Sequence, residues 1–110
     1  NIMFDKGWTG LFKQATEMQS KLAEMQEGLA EKTVEVSTGG GMVKVVANGL
    51  NEIISIKTDD ELINMNDREV LEDLITGAIN EASKKVKELA QGEMTKMTGG
   101  IKIPGLFPPT

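Results

Sequence analysis

Lys84, Lys85 and Lys87 sit close together in a segment with helical spacing. Each carries a compact ammonium charge on a flexible stem, the group that meets a phosphate oxygen as a point charge. A row of such charges is what duplex DNA phosphates attract, and each neutralised phosphate releases condensed counterions. Lys96 extends the row, as does Lys102 in the tail; Lys6, Lys13 and Lys21 form a second row near the N-terminus. At 100° per residue Lys84 points away from the apolar stripe of its helix, and Lys85 and Lys87 flank it on either side. The same lysines also fit a plain solvated face, braced by Glu81–Lys85 and Lys84–Glu88 pairs at i, i+4. Phosphate contact and solvated face are the two readings of this segment.

Other chemistry is excluded by composition. The 110 residues contain no cysteine, histidine or tyrosine. Disulfides, thiolate metal sites and histidine-based acid–base catalysis are therefore absent. We expect no catalytic residue, no cofactor, no metal and no small-molecule substrate. Thr38–Leu50, "TGGGMVKVVANGL", carries a glycine run, but a strand follows it where a phosphate loop needs a helix N-terminus. It reads as a connection between strands. Asp59, Asp60, Glu61, Asn64, Asn66 and Asp67 have the oxygens for a hard cation. Their spacing lacks the glycine at the sixth position of a calcium loop and puts Val70 at the twelfth, so helix capping explains them.

The chain is one domain by length, with a formal charge of −5. Acids dominate from Glu52 to Asp73, while the C-terminal third is mildly basic, so the local field decides what docks. No apolar run is long enough for a membrane span, and no leader-like core is present, which fits a cytoplasmic protein. Asn1-Ile2 ahead of Met3 reads as an appended remnant. The domain is expected over 3–97, with an extended Gly/Pro-rich tail over 98–110.

The elements that would position these residues follow from periodicity. Leu11, Ala15, Met18, Leu22, Met25 and Leu29 repeat at spacings of 4, 3, 4, 3 and 4. This predicts a helix from Thr9, as cap, to Lys32, with a narrow coiled-coil-like seam. A Glu17–Lys21 pair lies on its wet side. From Thr33 the period becomes two: Val34/Val36, then Val43/Val45/Ala47, then Ile54/Ile56 mark three strands. Gly39–Gly41 joins the first two and Asn48-Gly49, a strong hairpin signal, the last two. A helical turn is expected over Glu61–Ile63, capped by Thr58 or Asp59. A long helix follows from Asn66 or Asp67 to about Met97, with Leu71, Leu74, Ile75, Ala78, Ile79, Ala82, Val86 and Leu89 inward.

This α-β-β-β-α order makes an α+β fold, a three-stranded antiparallel meander with two long helices. Helices of ~36 and ~46 Å overhang strands of ~20 Å, both by more than about ten ångströms. The exposed seam calls for a cover, and a symmetric homodimer through Leu11, Met18, Leu22, Met25 and Leu29 is the simplest. Met18, Met25, Met94 and Met97 fill seams, or form an adaptable surface for other proteins. A protein-interaction module using these seams, or the apolar tail Ile101–Phe107, is the alternative to DNA binding.

The Met3-Phe4 start, the MQ-rich first helix, "GGGMVKVVANG", "DDELI", "VLEDLITGAINEASKKV" and "GGIKIPGLF" together resemble the YbaB/EbfC family of bacterial nucleoid-associated proteins. The resemblance implies a nucleoid-associated homodimer whose helices project somewhat like tweezers. It implies binding of duplex DNA with little sequence preference, a link to recombination-repair proteins, and no enzymatic activity. Carried onto this chain, the family's placement of DNA contacts on the projecting helices points to Lys13, Lys21, Lys84, Lys85, Lys87 and Lys96.

Overall fold

The structure, a computed structural model, describes residues 2–97 and Gly99, with side chains from Gly7 onward. The elements are α1 (Ile2–Glu31), β1 (Thr33–Thr38), a one-turn 3-10 helix (Gly39–Gly41), β2 (Val43–Asn48), β3 (Ile53–Thr58), α2 (Asp60–Asn64) and α3 (Arg68–Met97). The α-β-β-β-α meander expected from periodicity is present, with strand order β1-β2-β3 and both pairings antiparallel. The tail read as extended, with Lys102 and Ile101–Phe107, lies outside the described residues, as does the side chain of Lys6.

Alternation along β2 sorts the two faces of the sheet. Val43, Val45 and Ala47 are fully buried, while Lys44 between them is exposed. α3 lies across β1 and β2, placing Ala78, Ala82 and Val86 against Val36, Val43, Val45 and Ala47. Leu62 of α2 closes this core at one end and is 1% exposed. Alanines at 78 and 82 let the helix backbone approach the sheet closely, and the valines supply the β-branched surface that strands favour.

α3 runs back along β1. Thr38 Oγ1 at the end of β1 donates to the Leu74 carbonyl at 2.7 Å. Lys32, just before β1, is ion-paired to Glu93, nineteen residues beyond Leu74 on α3. The overhang is therefore unequal, and α1 is the helix that projects. α3 is laid along the sheet for most of its length, whereas α1 leaves it almost at once. On α1, among the described side chains, Leu29 alone is buried. The molecule measures 76 × 24 × 19 Å in consequence.

Several local expectations shift by a few residues. α1 begins at Ile2, so Thr9 lies inside the helix and does not cap it; Gly7 and Gly10 are tolerated there. α2 covers Asp60–Asn64, slightly longer than the expected turn, with Asp59 at its N-cap position. Asp67 caps α3 as its sequence position suggests, its Oδ1 accepting from the Val70 N–H at 3.2 Å.

The two connections differ from each other. Gly39, Gly40 and Gly41 hold φ of 63°, 66° and 95°, so the run turns a corner through backbone that L-residues resist. Asn48-Gly49 is not a two-residue hairpin. Asn48 ends β2, residues 49–52 form the connection, and the positive φ falls on Asn51, at 63°. The Asn48 side chain, 5% exposed, organises this longer loop. Its Oδ1 accepts from the Leu50 and Glu52 N–H groups at 3.0 Å each, and its Nδ2 donates to Glu52 Oε1 at 2.7 Å. A side chain that supplies these bonds outcompetes a tighter turn.

Candidate nucleic-acid interface

The lysines singled out by sequence sit on helix surfaces, and the folding of each helix explains why. Ala78, Ala82 and Val86 turn one stripe of α3 into the core, which leaves Lys84, Lys85 and Lys87 outside, all exposed. The braces expected along the helix do not form. Among the described residues the ion pairs are Lys32–Glu93 and Lys96–Glu93, so Glu81–Lys85, Lys84–Glu88 and Glu17–Lys21 lie beyond ion-pair distance. Lys85 instead reaches across to the edge of the sheet, its Nζ 3.4 Å from the Glu35 carbonyl oxygen. Lys84 and Lys87 are exposed and have no ion-pair partner among the described residues.

Lys96 lies in the last turn of α3, where its charge also complements the helix C-terminus. Its Nζ is 3.6 Å from Glu93 Oε1. Lys32 binds the same carboxylate from the junction of α1 and β1. The hydrogen bond from Lys32, then the charges of Lys32 and Lys96, hold the Glu93 carboxyl below the usual glutamate range. One carboxylate thus gathers two ammonium groups at the base of α1, leaving the cluster cationic. Sequence reasoning missed Lys32: its partner is 61 residues away, and no local pattern links them.

Lys13 and Lys21 lie on the exposed length of α1. Along the helix they are ~28 and ~16 Å from Lys32, at 1.5 Å per residue. The cations are therefore strung out along two arms of the molecule, not collected in one pocket. Such a string suits an extended polyanion better than a small anion.

The outer seam residues of α1 find nothing to pack against among the described residues of their own chain. Leu11 is 62% exposed, Met18 and Leu22 are exposed, Met25 is half-buried, and Leu29 alone is buried. A second apolar feature shares this arm. Trp8 and Phe12 stack at a 5.9 Å centroid distance with rings tilted by 35°, and Phe12 is 65% exposed. Lys13 follows Phe12 directly in the chain. The i, i+4 spacing of Trp8 and Phe12 is the sequence signal for the pair.

A matching apolar surface lies on β3. Ile56 pairs with the fully buried Val45 and shares its face of the sheet, yet it is 44% exposed because α3 stops short of β3. Ile53 and Ile54, beside a register shift between Val46 and Ala47, are also exposed, as are Ile63 and Met65 just beyond. No helix among the described residues is long and apolar enough to cross a membrane.

The chain matches the model of the YbaB/EbfC DNA-binding family over residues 5–101. It is 48% identical over 97 residues to a nucleoid-associated protein of Thermoanaerobacter pseudethanolicus, covering 88% of this chain and 87% of the relative. It is 50% identical over 97 residues to a nucleoid-associated protein of Caldanaerobacter subterraneus, with the same coverage. The fold is similar to the crystal structure of an uncharacterized protein from Helicobacter pylori, with a TM-score of 0.73 and 28% identity. That match covers 81% of this chain and 94% of the other. From its exposed helix lysines to its glycine corner, this chain belongs to the YbaB/EbfC DNA-binding family.

Proposed function

We propose that this chain is a nucleoid-associated protein that binds duplex DNA as a homodimer, through helix lysines and with little sequence preference. The observation that carries the reading, beside family membership, is the pair of exposed ammonium groups of Lys84 and Lys87, which form no ion pair among the described residues. Lys13 and Lys21 on α1, with Lys85 and Lys96 on α3, extend the contact. Phosphate contacts of this kind carry register but little base information, so binding is sequence-indifferent. The role is one of binding, without catalysis. Recombination-repair proteins are the protein partners that the family resemblance implies.

The homodimer is supported by two complementary apolar surfaces. One is a helix whose seam is bare; the other is a helix-wide gap beside α3 over Ile53 and Ile56. A helix is ~10 Å across, about two strand spacings, so α3 alone cannot roof the sheet. The exposed part of the α1 seam of a second copy, Leu11 to Leu22, fills that gap, while Leu29 stays buried in its own chain. Two copies also double the number of helix lysines, which raises avidity for a long polyanion.

Anisotropy of a labelled duplex between about 50 and 200 mM salt tests the reading, since each lost phosphate contact flattens the salt dependence. The wild-type chain should bind at low salt, with similar affinity for unrelated sequences. Lys84→Glu with Lys87→Glu should weaken binding at least about tenfold. Absence of binding by wild-type chain at low salt refutes it.

A further inference from the structure

We propose that the sheet face turned away from α3 is a second contact for the DNA backbone, made by Lys44 and Lys57. It rests on the DNA-binding reading above and names a surface that reading does not use. Lys44 and Lys57 are direct partners in the β2–β3 ladder, with Ser37 opposite Lys44 on the other side. Directly opposed Cα atoms in an antiparallel pair are only about 5 Å apart. Since Val43 and Val45 are buried under α3, alternation sends Lys44 to the opposite face, and the register sends Lys57 with it. Both lysines are exposed.

Like charges placed directly opposite destabilise a sheet. Nothing nearby relieves this pair. Glu35, opposite Val46, lies on the diagonal from Lys44, about 7–8 Å away by ladder geometry. Asp59 is the next carboxylate along the chain from Lys57. Neither forms an ion pair with them, because the ion pairs among the described residues all converge on Glu93. The sheet therefore holds two uncompensated ammonium groups side by side at a local cost in stability. Ser37 and Ser55 supply neutral hydroxyls on the same face, and the row ends at Gly39–Gly41, which has no side chains to obstruct approach. The face also carries Glu35 and half-buried Val46, but its lysines outnumber its acid and it has no aromatic group, which suits phosphates and not bases.

The full chain carrying Lys44→Gln and Lys57→Gln is the test, with anisotropy of a labelled duplex across salt and a thermal melt alongside. The magnitude of the slope of log affinity against log salt should fall by about 1.8 per subunit, with affinity about tenfold weaker at low salt. The melting temperature should stay level or rise, because the repulsion is gone; a purely structural role predicts a fall. Lys44→Arg with Lys57→Arg keeps both charges and should retain binding. Wild-type binding with an unchanged slope in the glutamine variant overturns the proposal alone. Loss of binding in the glutamine and arginine variants alike also overturns it. Absence of binding by wild-type chain overturns the DNA reading and this contact together.

Discussion

The backbone N–H of Gly49 donates to the Leu29 carbonyl at 2.8 Å, and this places the β2–β3 connection directly against the last turns of α1. The same N–H lies 3.0 Å from the Lys32 carbonyl. A Cβ at position 49 would fall 2.5 Å from the Leu29 oxygen and 2.9 Å from its Cα. The glycine of the Asn48-Gly49 pair is thus required for close approach of two backbones, not for a positive φ.

Gly49→Ala should therefore cost on the order of 2–3 kcal/mol, since backbone atoms cannot step aside as a side chain would. Gly40→Ala, in open space but at φ 66°, should cost about 1–2 kcal/mol from conformational strain alone. Urea unfolding of both variants checks the ranking, and equal costs would count against a backbone clash at Gly49.

Glu93 gives the fold a pH dependence with a definite sign. Its carboxyl is held low by the Lys32 hydrogen bond first, so the folded chain binds fewer protons than the unfolded chain in the acid range. The contribution is fully present above the ordinary glutamate range and is lost as pH falls through the depressed folded value. Glu93→Gln should flatten this acid-side loss in unfolding midpoints taken from about pH 7 down to about pH 3. An identical acid slope in wild type and variant would exclude the pair as its source.

The dimer should respond to charges placed on either of its two surfaces. Met18 and Ile56 are exposed within one chain, so Met18→Glu and Ile56→Glu should leave the subunit fold largely intact. Each should shift the sedimentation mass from twice the chain mass toward the single chain. A wild-type chain that sediments as a monomer at all concentrations contradicts the assembly.

Leu62 is the largest fully buried side chain, on the short α2 that links β3 to α3. Leu62→Ala should destabilise by about 2–5 kcal/mol, through lost burial and the cavity left behind. Because Leu62 is an uncharged side chain buried in the core, DNA affinity of the folded variant should be unchanged in the same salt titration.

Much of this architecture was legible residue by residue. The switch from the 3.5-residue spacing of Leu11–Leu29 to the alternation of Val34–Ile56 marked the helix and the strands. Asp67 marked the start of α3 because a capping side chain acts within one turn. What escaped depended on tertiary geometry. The lie of α3 along β1 is fixed by Thr38–Leu74 and Lys32–Glu93, contacts 36 and 61 residues apart in the chain. The loop at Asn48 departed from a tight hairpin because a buried side chain took over its hydrogen bonds. Glu81–Lys85 and Lys84–Glu88 were reasonable helix pairs that did not close, as weak surface pairs often do not. Lys44 and Lys57 were visible as strand residues, but their juxtaposition needed the register.

The attachment of α1 at Leu29 and Gly49 makes the helix a lever pivoted at one end. Trp8 lies 21 residues out from that pivot, about 31 Å along the axis at 1.5 Å per residue. A tilt of only ~10° at Leu29 would carry Trp8 through about 5 Å over such a length. Slight repacking around a single glycine is thereby amplified into a change of reach, and Lys13 travels with the tip.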